Sequence, residues 1–186
     1  MANRSHLYAF DKFENGLPLK PRGLHEWNSK IPPSHLLMMS GKPRRYMSSI
    51  KPGQNVAIVA DYEPGVARFR SFLTALLASK ALTDELAVDV RKAEDFLASE
   101  AGTGRFLLLE PFEIFAGSNT APDVQCSAVV AKQIPSVAAH VDKIVAGPPA
   151  QLFSKAPKWL GEVRENWGMN LGLGDWGPPL YYQLDA

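Results

Sequence analysis

Between Gln54 and Ala60 the chain reads Gln-Asn-Val-Ala-Ile-Val-Ala, a short aliphatic run that Pro64 soon follows. A run this short and this apolar fits a strand buried on both faces. It narrows the fold more than any other segment. Pro64 suits the first turn of a helix, and Val66, Phe69, Leu73, Leu76 and Leu77 recur behind it at helical spacing. The spacing predicts a helix over 64–79. A second helix over 84–99 follows, capped by Thr83, with Leu86, Val90, Ala93 and Leu97 on its apolar face. Gly102 and Gly104 end it, and Phe106-Leu-Leu-Leu109 reads as another buried strand running into Glu110-Pro111. Strand, helix, helix, strand calls for helices layered on a sheet.

Around this centre, residues 6–10 read as a first strand, and the stretch to about 33, rich in Gly, Pro and Asn, as a long connection. Ser34 is positioned to cap a short helix that Gly41 and Pro43 close. Helical patterns cover 123–133 and 136–146, with Pro135 between them, and Pro148-Pro149 breaks the chain again. A last helix starts near Pro157, with Leu160, Val163 and Trp167 at helical spacing, and a final strand lies near 180–184. The expected fold is α/β or α+β, one globular domain over 1–186. Its mixed sheet has about four or more strands with flanking helices. Strands 54–60 and 105–109 can lie parallel, and the two terminal strands antiparallel at an edge.

Hydrophobic residues at 46% and charged residues at 21% match ordinary globular usage, which argues against disorder and coiled coil. Twenty basic residues against nineteen acidic ones leave a formal charge of +1, no general field for nucleic acid or anionic lipid. Cys126 is the single cysteine, so no internal disulfide forms, and the four scattered histidines do not complete a cysteine-rich zinc site. The N-terminal segment has no apolar run of signal-peptide length, and no stretch approaches the roughly eighteen apolar residues of a membrane span. The expectation is a cytoplasmic protein with no cofactor, metal, nucleic acid or membrane partner.

Gly172-Leu-Gly174-Asp-Trp-Gly177 matches the dinucleotide fingerprint G-x-G-x-x-G letter for letter, but Pro178 and Pro179 follow at once. The helix that would meet a pyrophosphate has no room. The block reads instead as an aromatic turn in which Trp167, Trp176, Tyr181 and Tyr182 pack the chain end onto the body. Ser40-Gly-Lys-Pro43 has neither the spacing nor the hydroxyl of a phosphate loop. Beyond it Arg44, Arg45 and Tyr46, with Lys42 and Lys51 nearby, form a basic and aromatic patch on a predicted loop. Asp61 and Glu63 lie where a strand meets a helix N-terminus, and Glu110 and Glu113 flank Pro111 after the other strand. If both strand ends open on one edge, these carboxylates converge into a metal or base site. No nucleophile elbow surrounds a serine and no H-E-x-x-H is present around His25, His35 or His140, while Cys126 reads as a small hydrophobe.

Several blocks together resemble a family of uncharacterised bacterial proteins that open with Met-Ala-Asn-Arg-Ser-aromatic-Leu-Tyr. They are Asn3-Arg4-Ser5-His6-Leu7-Tyr8, Glu26-Trp27-Asn28 with Ile31-Pro32, Ser40-Gly41-Lys42-Pro43, Asp61-Tyr62-Glu63-Pro64-Gly65, and Leu171-Gly172-Leu173 with Trp176 and Leu180-Tyr181-Tyr182. His6 departs from the family by standing at its aromatic position. The family looks like the small cytoplasmic proteins found beside secreted bacterial toxins, and this resemblance implies an immunity role. The expected function is therefore non-enzymatic: binding and neutralising a cognate toxin. Trp27, Arg44, Arg45, Tyr46, Tyr62 and Trp176 are the expected exposed partner-binding residues, since aromatic and arginine side chains anchor most interfaces. The competing expectations are a metal-dependent carboxylate enzyme at Asp61, Glu63 and Glu110, and a peptide-binding regulatory or scaffold module that needs an exposed sheet edge or an apolar groove framed by the proline-rich connections at 18–33 and 148–157.

Overall fold

The computed structural model of the chain describes residues 3–78, 84–147, 171–177 and 180–184. The aliphatic run at Ala57–Asp61 forms strand β6 and Phe106–Glu110 forms β7, and every residue from Ala57 to Ala60 is fully buried. They lie inside a five-stranded sheet of order β4-β1-β7-β6-β5, where β1 is Arg4–Phe10, β4 is Arg22–Asn28 and β5 is Arg44–Tyr46. A two-stranded hairpin, β2 (Phe13–Glu14) with β3 (Leu17–Pro18), stands apart from it. The fold is α+β.

All four pairings in the main sheet are antiparallel, including β6 with β7, whose register runs from Asp61↔Phe106 to Ile58↔Leu109. The parallel arrangement expected for these two strands is therefore corrected. A single crossover helix returns the chain to the start of the strand it left, which makes the next strand parallel. Here two helices intervene, α2 (Tyr62–Ala78) and α3 (Asp84–Ala98), which pack on each other. The second cancels the return of the first, so β7 starts beside the end of β6. Tyr62 fastens that corner: its backbone N–H donates to the Arg105 carbonyl at 3.0 Å and its hydroxyl to the Gly102 carbonyl at 2.7 Å.

Alternation along the strands gives the sheet two buried faces. Leu7, Ala9, Ile58, Ala60, Leu107 and Leu109 join the core under the helices. Tyr8, Phe10, Ala57, Val59 and Leu108 face the other way, against Leu180 and the partly buried Phe13, Tyr46 and Leu184. The expected final strand at 180–184 is thus an irregular segment laid on this second face, with Leu180 against Gly23.

Other boundaries moved for local reasons. The long connection before residue 33 contains the β2–β3 hairpin and β4, a strand that polar His25, Glu26 and Asn28 disguise. Helix α1 (Pro33–Met38) starts after Pro32 with no side-chain cap, and Ser34, expected as the cap, is a buried residue inside it. Pro135 does not separate one helix from the next. Between α5 (Pro122–Ala128) and α6 (Ile134–Val145), residues Val129–Gln133 widen into a π turn and the rod continues. The wider turn moves aside the carbonyl that a proline ring would strike four residues back. Thr83, Pro148-Pro149 and the expected helix from Pro157 to Trp167 lie outside the described residues.

Helix α1 crosses the start of α2 at Gly65, where an added β-carbon would overlap the Met38 carbonyl oxygen. Backbone blocks that approach, so it does not relax by a side-chain rotation. Gly65→Ala is expected to destabilise the fold by at least about 2 kcal/mol. Gly174→Ala, built into open space, is expected to change stability by less than about 0.5 kcal/mol. Urea denaturation of both variants checks the contrast.

Candidate functional site

The Asp61 N–H donates to the Gly41 carbonyl at 2.6 Å, and the chain then turns through Lys42, with φ of 56°, and Pro43 into β5. This contact sets β5 on β6 in the register Arg44↔Val59, Arg45↔Ile58, Tyr46↔Ala57. The basic patch expected on a loop is an edge strand. Arg44 and Tyr46 point to the hairpin side. The Arg44 guanidinium lies 5.9 Å from the Phe13 ring centre and 6.0 Å from that of Phe106. The Tyr46 hydroxyl donates to the Gly16 carbonyl at 2.7 Å. Arg45 points to the helix side, donating twice to the Asn55 carbonyl at 3.2 and 3.0 Å and once to Ser127 Oγ at 2.9 Å. Both guanidinium groups stay exposed.

Two exposed apolar residues, Leu17 and Met47, lie along the same margin, and a shallow hollow of about 400 Å³ is lined by Arg45, Tyr46, Met47 and Asn55. Among the described residues no strand pairs with the outer side of β5. The opposite edge is treated differently: the Gly177 N–H donates to the Leu24 carbonyl of β4 at 2.9 Å, so the glycine-rich block closes that margin.

The carboxylates do not converge. Asp61 stands opposite Phe106 at the start of β7, and Glu110 ends that strand four residues on, about 14 Å away at strand rise. Convergence required parallel strands. Asp61 instead lies 3.6 Å from Lys42 Nζ, and Glu63 is exposed in the first turn of α2. Glu113 accepts from the Arg4 N–H and the Tyr182 hydroxyl. Glu110 is buried, and accepts from Ser48 Oγ at 2.7 Å and the Ser49 N–H at 2.6 Å. Burial pushes its carboxyl up to about 7 against these hydrogen bonds. Among the described residues no group of three or more His, Cys, Asp or Glu side chains has metal-binding geometry. Cys126 packs as a buried hydrophobe beside the Ala57 carbonyl, and burial pushes its thiol up to about 11.

Three expected aromatic anchors serve the interior. Tyr62 is only 5% exposed at the β6–α2 corner. Trp27 and Trp176 are half-buried and hold the His25 ring between them, at 5.6 and 4.6 Å centre to centre. His25 belongs to a buried chain that periodicity did not reveal. Its Nε2 donates to the Gly174 carbonyl at 2.6 Å, its Nδ1 lies 2.8 Å from His35 Nε2, and His35 Nδ1 lies 3.2 Å from Ser5 Oγ. Burial pulls His25 down to about 4 and His35 well below the ordinary histidine range, so both rings are neutral at pH 7. A carbonyl at one end then orders the ring protons. His25 carries its proton on Nε2, so its Nδ1 accepts from His35 Nε2, and His35 Nδ1 is left as an acceptor facing Ser5, whose one hydroxyl proton lies between it and the Lys30 carbonyl at 3.1 Å. The available signal was His25 and Trp27 two residues apart, one face of a strand.

A model of the family described as domain of unknown function (DUF7822) matches residues 13–150, a span that runs from β2 through α6 and includes β5. No curated protein and no solved structure matches the chain.

Both histidines are expected as Nε2–H tautomers at pH 7, which long-range proton–nitrogen correlation of the two rings checks. The two buried acid–base systems act oppositely on stability. Glu110 binds its proton more tightly folded than unfolded, so its contribution is full below about pH 4.5 and lost as pH rises through about 7. His25 gives a contribution that is full above about pH 6.5 and lost as pH falls through about 4. Replacing Glu110 with glutamine removes only the first. Relative to the parent, Glu110→Gln is expected to gain on the order of 2 to 3 kcal/mol between pH 4.5 and pH 8. Urea midpoints across that range measure the gain.

Proposed function

The chain belongs to the DUF7822 family, and from that premise we propose that it is a non-enzymatic protein that docks a protein partner on the β5 edge. The partner is a cognate toxin that it neutralises in the cytoplasm. The observation that carries the reading is the placement of Arg44, Arg45 and Tyr46 together on one sheet edge, uncovered among the described residues. Arginine and tyrosine are the residue types that anchor interfaces. Here they stand beside exposed Met47 and Leu17, apolar surface of the kind a partner covers. A stable complex needs on the order of 800 Å² per partner, which is more than the strand alone supplies, so the flanking hairpin and the Met47 hollow belong to the same surface. The toxin element of the reading rests on the resemblance of the opening, central and closing blocks to proteins found beside secreted toxins. Among the described residues no helix is long and apolar enough to cross a membrane.

Co-expression tests it. The partner that co-purifies with this chain from its native host is expected to stop growth when expressed alone and to be tolerated with this chain. Arg44→Glu is expected to weaken that protection while lowering the melting temperature by only a few degrees, because an exposed cation–π contact contributes about 0.5 to 1 kcal/mol. Unchanged toxicity with the parent chain present removes the immunity reading.

A further inference from the structure

From Lys42 to Ala60 the sequence holds four cations, Lys42, Arg44, Arg45 and Lys51, and no aspartate or glutamate. The fold runs this segment up β5 and back into β6, so a margin of a nearly neutral protein is locally basic. Arg44 and Arg45 are successive residues of a strand, and strand alternation sends one guanidinium to each face of the sheet. Arg44 makes no hydrogen bond or ion pair among the described residues, while Arg45 spends some of its donor set on Asn55 and Ser127. Between them lies the outer backbone edge of β5, the end of the sheet order.

We propose that this edge takes an extended, acidic segment of the partner as a sixth strand, with carboxylates at two successive positions meeting Arg44 on one face and Arg45 on the other. The proposal rests on the partner-docking reading above and names the chemistry of what docks. Backbone hydrogen bonds to an open edge supply affinity in such pairing, and alternate side chains supply specificity. A side chain paired across from Arg44 falls on the same face as Arg44, and the next one falls beside Arg45. Two adjacent acidic residues therefore satisfy both arginines at once, whereas an acidic residue at every second position reaches only one. The planar guanidinium offers a carboxylate two parallel donors. A second copy of this chain is disfavoured as the added strand, because it would bring Arg44 and Arg45 against their own counterparts, and like charges opposed across strands destabilise pairing. Met47 and its hollow receive an apolar residue two positions beyond the carboxylate that meets Arg45, on the same face.

A fluorescent, end-capped peptide of alternating threonine and valine with two adjacent aspartates at its centre probes the full chain, read by anisotropy and by amide shifts. Saturable binding is expected, with shifts centred on residues 42–60 and extending to Phe13, Gly16, Phe106 and Ser127, which touch Arg44, Arg45 and Tyr46. Arg44→Glu with Arg45→Glu is expected to weaken binding by about tenfold or more, and Arg44→Lys with Arg45→Lys to restore much of it. Lysines in place of the two aspartates, or methylation of the peptide amides that face β5, are expected to abolish it. No binding at millimolar peptide, equal binding of the lysine peptide, or shifts centred away from β5 and the residues that touch it would overturn the proposal. A short oligothymidine that occupies the same edge more tightly overturns it in favour of single-stranded nucleic acid. Protection in cells with no peptide binding removes the strand mode and leaves the toxin. Peptide binding without protection removes the toxin and leaves the acidic strand.

Discussion

Backbone laid directly on backbone, where α1 and its exit meet the β6–α2 corner, is the contact on which the other features depend. Gly65 lies against the Met38 carbonyl and the Gly41 carbonyl accepts the Asp61 N–H. No side chain lies between these segments, so the distance is set by the chain itself. That contact fixes where the strand after Pro43 starts against β6, and so which residues of β5 face the hairpin and which face the helices. A slip of one residue would exchange Arg44 with Arg45 across the sheet and turn Tyr46 away from Gly16. Ser40-Gly41-Lys42-Pro43 and Asp61-Tyr62-Glu63-Pro64-Gly65 are the two sides of this one contact.

The second constraint is that a five-stranded sheet with two apolar faces must be covered twice. Helices cover one face. The hairpin and the segment at 180–184 cover the other, which explains why an irregular chain end carries Leu180, Tyr182 and Leu184. The same closing block serves the far edge: Gly177 caps β4, Gly174 orders the histidine chain, and Trp176 covers His25. One margin thereby takes a backbone hydrogen bond from the closing block, and among the described residues β5 is left as the margin with no strand paired on its outer side.

Burial of polar groups adds an electrostatic consequence. Glu110 and the pair His25 and His35 are all held toward their neutral forms, the acid by raised and the bases by lowered proton affinity. Their pH dependences oppose each other over the mildly acidic range, so each system offsets some of the other. His6 adds a third group of the same sense as the other histidines. It is fully buried 3.7 Å from the Glu26 carboxylate, with its proton affinity lowered by desolvation despite Glu26 and Glu113 nearby.

Elements whose signal lies within a few residues were legible in the amino-acid order: the aliphatic strands around Ile58 and Leu108, and α2 and α3 with apolar stripes at 3.6-residue spacing. A helix closes its hydrogen bonds within its own segment, and a doubly buried strand announces itself by the absence of polar residues. The edge strands β4 and β5 were not legible, because Arg22–Asn28 and Arg44–Tyr46 become strands only through partners elsewhere in the chain. The arginine pair was visible as charge, but its division between two faces of a sheet edge was not. Asp61 and Glu110 were visible as strand-end carboxylates, and only strand direction decided that they stand apart. By itself the sequence determined the aliphatic strands and the apolar stripes of α2 and α3, since local periodicity is a property of neighbours in order. Tertiary structure alone decided strand direction, edge pairing and the histidine chain, since each depends on a hydrogen-bonding partner that lies far away in the sequence.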